Sequence, residues 1–199
     1  MNILLVLPSH LQRQGVTDEV DISELELIEA AKANAQAFAP LYERYAQQVY
    51  RYTRTRIRNE DDAADLTQQT FLNALHALPR YKSRGIPFVA WLFRIALYTI
   101  RQKQRKERIT VSWDLLPEAL HPQGEEDPEG VLLQQERLKR VEVLFEKLKT
   151  SQRELLMLRF AAGLSSTEIA AVLGKSPASV KKQLSRILHT LKEGYSQYE

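Results

Sequence analysis

Between Ser176 and Arg186 the chain sets Lys181, Lys182 and Arg186 among Ser176, Ser179, Gln183 and Ser185, at helical spacing. Cations of this kind pair with phosphates, and hydroxyls and amides reach base edges, so the chemistry is recognition of nucleic acid rather than bond making. Just upstream, Ala170, Gly174 and Val180 stand four and then six residues apart. The spacing has a mechanical reason. Two helices that cross closely need a small residue at the contact, and the tight turn between them needs a residue that tolerates positive φ. Val180 and Leu184 would then pack onto Ile169 and Leu173. This predicts a helix-turn-helix over 166–188, its second helix running Pro177–His189 and entering the major groove by its N-terminus. The plainer alternative is a helical hairpin with a solvated outer face.

A second cationic run, Arg101–Arg108, holds five basic residues and one acid. Arg101, Arg105 and Arg108 form one stripe, which also suits a helix C-terminus. Phe88, Trp91, Phe93 and Tyr98 precede it, as core residues or as a stacking platform. Asp65, Gln68, Gln69 and Leu72 lie three or four apart and share a helix face; read from chemistry alone, that face is a solvated one. Trp113–Gly130 has no Lys or Arg but six acids, so a basic surface is followed by a segment kept off nucleic acid.

Catalytic signatures are lacking. His10, His76, His121 and His189 show no paired ligand spacing, and there is no Gly-rich phosphate loop. The carboxylates of Glu60–Asp65 and Glu125–Asp127 have no partnering His, and read as a helix start and a solvated linker. The absence of cysteine removes disulfides, thiolate metal sites and Cys nucleophiles, and fits a reducing cytoplasm. We expect no enzyme, no metal and no cofactor. Ile3–Leu7 is too short for a membrane span, so no membrane insertion is expected.

The elements that must position these residues are helical. With 44% hydrophobic residues but only 7 Gly and 8 Pro in 199, the chain can pack a core and is poor in turns. The predicted fold class is all-α, two small helical domains joined by a flexible linker. Residues 1–22 read as a tail. A short helix spans Ser23–Ala33. Asn34 caps a second, delayed or kinked by Pro40, that runs to about Arg58. Asn59 with Asp62 opens a third that stops at Pro79. After the loop Tyr81–Pro87, a fourth helix runs about Phe88–Arg108, apolar on nearly every side in its first half and therefore buried among others. Residues 110–130, rich in Pro and Gly, form the linker and boundary, so the domains are 23–109 and 131–199. Ser151 with Glu154 and Ser165 with Glu168 have capping-box spacing, and Ser176-Pro177 marks a further helix start.

The blocks AFAPLYERYAQQVYRYTRTRI, DAADLTQQTFLNAL and WLFRIA with its basic tail resemble region 2 of the extracytoplasmic-function (group 4) sigma factors of the sigma-70 family. LKTSQRELLMLRFAAGLSSTEIAAVLGKSPASVKKQLSRILHTL resembles region 4 of the same family. The two blocks cover roughly 36–109 and 138–193, in the family's order.

The resemblance implies an RNA polymerase sigma factor that directs promoter recognition and transcription initiation. It implies core-polymerase contacts from Asp65, Gln68, Gln69, Phe71 and Leu72 on the clamp coiled coil of the largest subunit, with the flap as a further partner. It implies minus-ten DNA contacts from Tyr81, Lys82, Arg84, Phe88, Trp91, Arg94, Tyr98, Arg101 and Arg105, with Lys103 beside them on phosphates. The minus-thirty-five element falls to Ser176, Ser179, Lys181, Lys182, Ser185 and Arg186. An anti-sigma factor is a further partner that the resemblance admits. The chain departs from the family pattern at Gln69, where an acid is usual, at Tyr98 and Gln102, where Asn and Asp are common, and at Lys149, where Pro is usual. The rival reading is a dimeric helix-turn-helix regulator that binds duplex DNA without polymerase.

Overall fold

A computed structural model describes residues 22–83, 85–107 and 139–196. Among them every regular element is helical. Residues 1–21 of the expected tail 1–22, the linker 110–130, Arg84 and Arg108 lie outside the described residues, and Ile22 belongs to the first helix.

The N-terminal unit comprises α1 (Ile22–Ala33), α2 (Ala39–Arg54), α3 (Glu60–Ala77) and α4 (Phe88–Glu107). Asn34 caps a 3-10 turn, Ala35–Phe38, by accepting from the Gln36 N–H at 3.0 Å. Pro40 then sits in the first turn of α2, where its missing N–H costs nothing. That is the delayed start expected of it. Helix α2 ends at Arg54, four residues short of the sequence expectation, because Arg54 turns its guanidinium onto the Ile57 carbonyl at 3.0 Å and the Arg58 carbonyl. Asn59 opens α3 by accepting from the Asp62 N–H at 2.8 Å.

The C-terminal unit comprises α5 (residues 139–146), α6 (Thr150–Phe160), α7 (Ser166–Leu173) and α8 (Pro177–Ser196). Ser165 and Glu168 make the reciprocal cap: the Ser165 N–H donates to Glu168 Oε2 at 2.6 Å and the Glu168 N–H to Ser165 Oγ at 3.2 Å. Ser151 and Glu154 make no such cap. The cap of helix α6 is Lys149, two residues before the expected one, with the Lys149 N–H donating to Gln152 Oε1 at 2.8 Å. The backbone of Lys149 has φ −64°, a value proline would hold, but proline could not supply that N–H. Helix α8 continues a further seven residues past His189, to Ser196.

One apolar cluster runs through both units. It joins Leu41, Val49, Tyr52, Phe71, Leu78, Leu92, Phe93 and Ile100 to Leu155, Leu156, Leu158, Leu164, Ile169, Val180 and Ile187. Helix α4 explains the continuity. It packs against α2 and α3 of its own unit and against α7 of the other. Its apolar surround is covered from three sides, which is why Phe88, Val89, Ala90, Leu92, Phe93, Ala96 and Leu97 are all buried.

Candidate polymerase and promoter interfaces

The outer face of α3 carries the first set. Asp65, Gln68, Gln69 and Leu72 are all exposed. Leu72 stands 50% exposed, an apolar residue on a stripe with Asp65, Gln68 and Gln69. Phe71 is different. It is buried, its ring edge-on to Tyr42 with centroids 4.8 Å apart and to Phe38 at 6.3 Å. It fixes the helix from beneath while its neighbours face outward. Gln69 Nε2 donates to Asn73 Oδ1 at 2.9 Å, and Asn73 Nδ2 donates to Thr99 Oγ1 at 3.1 Å, tying α3 to α4.

The second set splits by depth. Tyr81 and Phe88 are buried, and with Trp91 they form a ring cluster whose centroids lie 4.8 to 5.7 Å apart. Tyr81 and Phe88 thus lie at the base of the cluster, beneath Trp91. Burial also raises the Tyr81 pKa. Trp91 is half-buried at the edge of the cluster, while Lys82, Arg94, Tyr98, Arg101 and Arg105 are exposed. Tyr98, at 63%, is the most exposed of the large apolar and aromatic residues described. Lys103 does not join the outward cations. Its ammonium pairs with Asp62 Oδ1 at 3.1 Å, fastening the basic half of α4 to the start of α3.

The third set stands as the spacing required. Gly174 has φ 67°, ψ 36°, the left-handed conformation that a side chain resists, and its N–H returns to the Ala170 carbonyl. Ile169, Ala170, Val180 and Leu184 are buried where α7 crosses α8. The Ser179 N–H donates to Ser176 Oγ at 3.2 Å, so the hydroxyl of Ser176 caps α8. Ser176, Lys181, Lys182, Ser185 and Arg186 are exposed, and Ser179 is half-buried. Gln183 Nε2 donates to Ser179 Oγ at 2.7 Å, and Lys175 Nζ donates to Gln183 Oε1 at 2.9 Å. Lys175 thus joins the cationic end of α8; it lies in the turn, outside the helical spacing that marked the others.

The sequence reading missed a fourth set. Tyr52 and Arg56, from the end of α2 and the turn after it, meet Glu154 of α6. Arg56 Nη2 donates to Tyr52 Oη at 2.7 Å, and both Arg56 and the Tyr52 hydroxyl donate to Glu154 Oε1. Arg101 approaches Glu154 Oε2 at 3.8 Å. The side chains of Arg56 and Glu154 are only 4% and 9% exposed. Burial, followed by the Glu154 charge and hydrogen bond, raises the Tyr52 pKa well above its ordinary value; the Arg56 charge opposes this. No helical period reveals such a set, because its members lie about a hundred residues apart.

An all-helical chain that ends in a helix-turn-helix with an outward cationic face has the features of a DNA-binding protein, and comparison with known proteins makes the class specific. Residues 41–109 match Sigma-70 region 2, and residues 138–191 match Sigma-70, region 4. The chain is 34% identical over 184 residues to the sigma factor BldN of Streptomyces coelicolor, covering 90% of this chain and 68% of BldN. It is 33% identical to SigD of Mycobacterium tuberculosis, covering 83% and 80%. The solved structure of CnrH in complex with the cytosolic domain of CnrY superposes with a TM-score of 0.56 at 29% identity, covering 84% of this chain and 94% of CnrH. The chain belongs to the extracytoplasmic-function sigma factors of the sigma-70 family. It is an RNA polymerase sigma factor for promoter recognition and transcription initiation, and the dimeric-regulator alternative is set aside. No helix among the described residues is long and apolar enough to cross a membrane.

Proposed function

We propose that each exposed set serves one step of initiation, within domains 23–109 and 131–199 separated by the acidic linker 110–130. The stripe Asp65, Gln68, Gln69 and Leu72 docks on the clamp coiled coil of the largest polymerase subunit. The single observation that carries this is Leu72, half exposed within a polar stripe on a helix whose other face is buried. An apolar residue ringed by polar ones is the layout of an interface centre. Phe71 contributes by holding that stripe from below. The flap is the matching partner of the C-terminal domain, and an anti-sigma factor is a further partner. All of this takes place in the cytoplasm.

Minus-ten DNA meets Lys82, Arg84, Trp91, Arg94, Tyr98, Arg101 and Arg105, with Tyr81 and Phe88 as the support beneath. Opening the duplex costs a few kcal/mol per unstacked step. An aromatic face that captures a flipped base returns about 1–3 kcal/mol, and Trp91 and Tyr98 present such faces. The N-terminal half of α8, with Lys175 added, reads the minus-thirty-five element through Ser176, Ser179, Lys181, Lys182, Ser185 and Arg186. Two weak DNA contacts joined through polymerase act as a bivalent reader, and the linker sets its reach.

Gel filtration with core polymerase tests the docking assignment. The double variant Asp65→Arg, Gln68→Ala keeps its helical circular dichroism and fails to co-elute with core. Normal co-elution overturns the assignment.

A further inference from the structure

We propose that Gln183 reads an adenine in the minus-thirty-five element, its amide turned for that base by Lys175 on one side and Ser179 on the other. The inference deepens the assignment of α8 made above and rests on it. Ser176, Ser179, Gln183 and Arg186 follow one another at intervals of three, four and three residues, the spacing of one helix face. Three of these four are already assigned to that element. Val180, Leu184 and Ile187 turn inward and are buried, with α7 packed on α8.

The Gln183 amide is held in one orientation. Lys175 Nζ lies 2.9 Å from Gln183 Oε1. An ammonium has only protons to give, so the atom that faces it is the carbonyl oxygen. The nitrogen then faces the other way, and Nε2 donates to Ser179 Oγ at 2.7 Å. Lys175 is itself anchored. Its N–H donates to the Ala170 carbonyl at 2.9 Å, one residue past the left-handed Gly174. The turn between the two helices thus sets the direction of a side chain well inside α8.

What the amide has left over decides its ligand. Oε1 keeps a lone pair and Nε2 a second proton, so one acceptor stands beside one donor. A phosphate only accepts, and would leave the oxygen unmatched. In the major groove guanine shows two acceptors, cytosine a donor, and thymine an acceptor with a methyl group. Adenine alone shows an acceptor and a donor together, N7 and the N6 amino group. Gln183 Nε2 gives its free proton to N7, and Oε1 accepts from N6. Because the amide is bonded at both ends before DNA arrives, little rotamer freedom is left to lose on binding.

Holoenzyme formed with the full chain is incubated with linear duplexes randomised throughout a promoter-length insert, and the bound fraction is sequenced. The wild type selects adenine at one upstream position by about fivefold or more, the lower bound for a bidentate pair. Gln183→Leu loses that preference and leaves the other positions as they were. Gln183→Glu has no proton to give and turns the preference toward cytosine, whose N4 amino group donates. This second variant also covers a folding failure of the first. Lys175→Met releases the amide and weakens selection at that position above all others, whereas a lysine that met only phosphate would weaken binding equally on every sequence. An upstream profile left unchanged by both Gln183 variants overturns the proposal. If Arg186→Ala alters the profile in that case, the assignment of α8 stands without Gln183. A wild-type profile with no preference at any upstream position overturns both.

Discussion

A buried phenol beside a carboxylate holds its proton even against a neighbouring guanidinium, and Tyr52 is so placed. The consequence is a stability that depends on alkaline pH. Below about pH 10 the tyrosine is protonated folded and unfolded alike, and stability does not respond. Above it the unfolded chain releases a proton that the folded chain keeps, so stability falls as pH rises, by about 1.4 kcal/mol per pH unit for each such tyrosine. Tyr45, raised chiefly by burial and then by its bond to Glu24, adds a second. Urea unfolding at pH 9, 10 and 11 checks this. The Tyr52→Phe variant shows a shallower decline than the wild type, and an equal decline removes Tyr52 as the source. At this scale the sequence was informative where a role follows from spacing. Asp65, Gln68, Gln69 and Leu72 share an exposed face as their intervals required. It was silent on Glu154, whose interval to Ser151 reads as a cap while its partners lie on another unit.

Helix ends carry the local specification, and their energies are open to direct measurement. Removing the Ser165 hydroxyl in Ser165→Ala frees the Glu168 N–H and costs about 1 kcal/mol. Gly174→Ala forces a side chain into the left-handed region at about 1–2 kcal/mol. Shifts of the urea midpoint report both, and a Gly174→Ala protein as stable as wild type would deny the strained turn. Most of the helix starts were legible because a cap is a local pattern of three or four residues. The exception is α6, whose cap uses the Lys149 backbone and Gln152. The all-round apolarity of α4 was also legible as burial, but what buries it was not. Its third cover is α7, and a one-dimensional pattern does not say which helix lies on which face. The same limit applies to Phe71, Tyr81 and Phe88, whose contacts the resemblance implied and whose depth no interval along the chain discloses.

For the whole molecule, two units that each present few cations must act together. Arg186 and Lys182 lie exposed on α8, and each neutralised phosphate adds about 0.9 to the slope of log affinity against log salt. Holoenzyme carrying Lys182→Ala and Arg186→Ala binds an upstream-dependent promoter with a slope smaller by about 1.8 in magnitude, measured by filter binding across a salt series. An unchanged slope means these side chains do not reach the backbone. The order of the two domains was readable because both blocks lie in one chain at the family's separation. Their mutual packing was not, since it rests on contacts between side chains distant in sequence.

The hydrogen bonds from Gln69 to Asn73 to Thr99 have a sense of direction. Each donor is an amide and each acceptor lies one step nearer α4. A carboxylate at position 69 has no proton to give, so it would draw the Asn73 amide toward itself and away from Thr99. The amide at position 69 therefore keeps α3 and α4 joined in one polarity, through a chain of bonds that ends one residue from Tyr98.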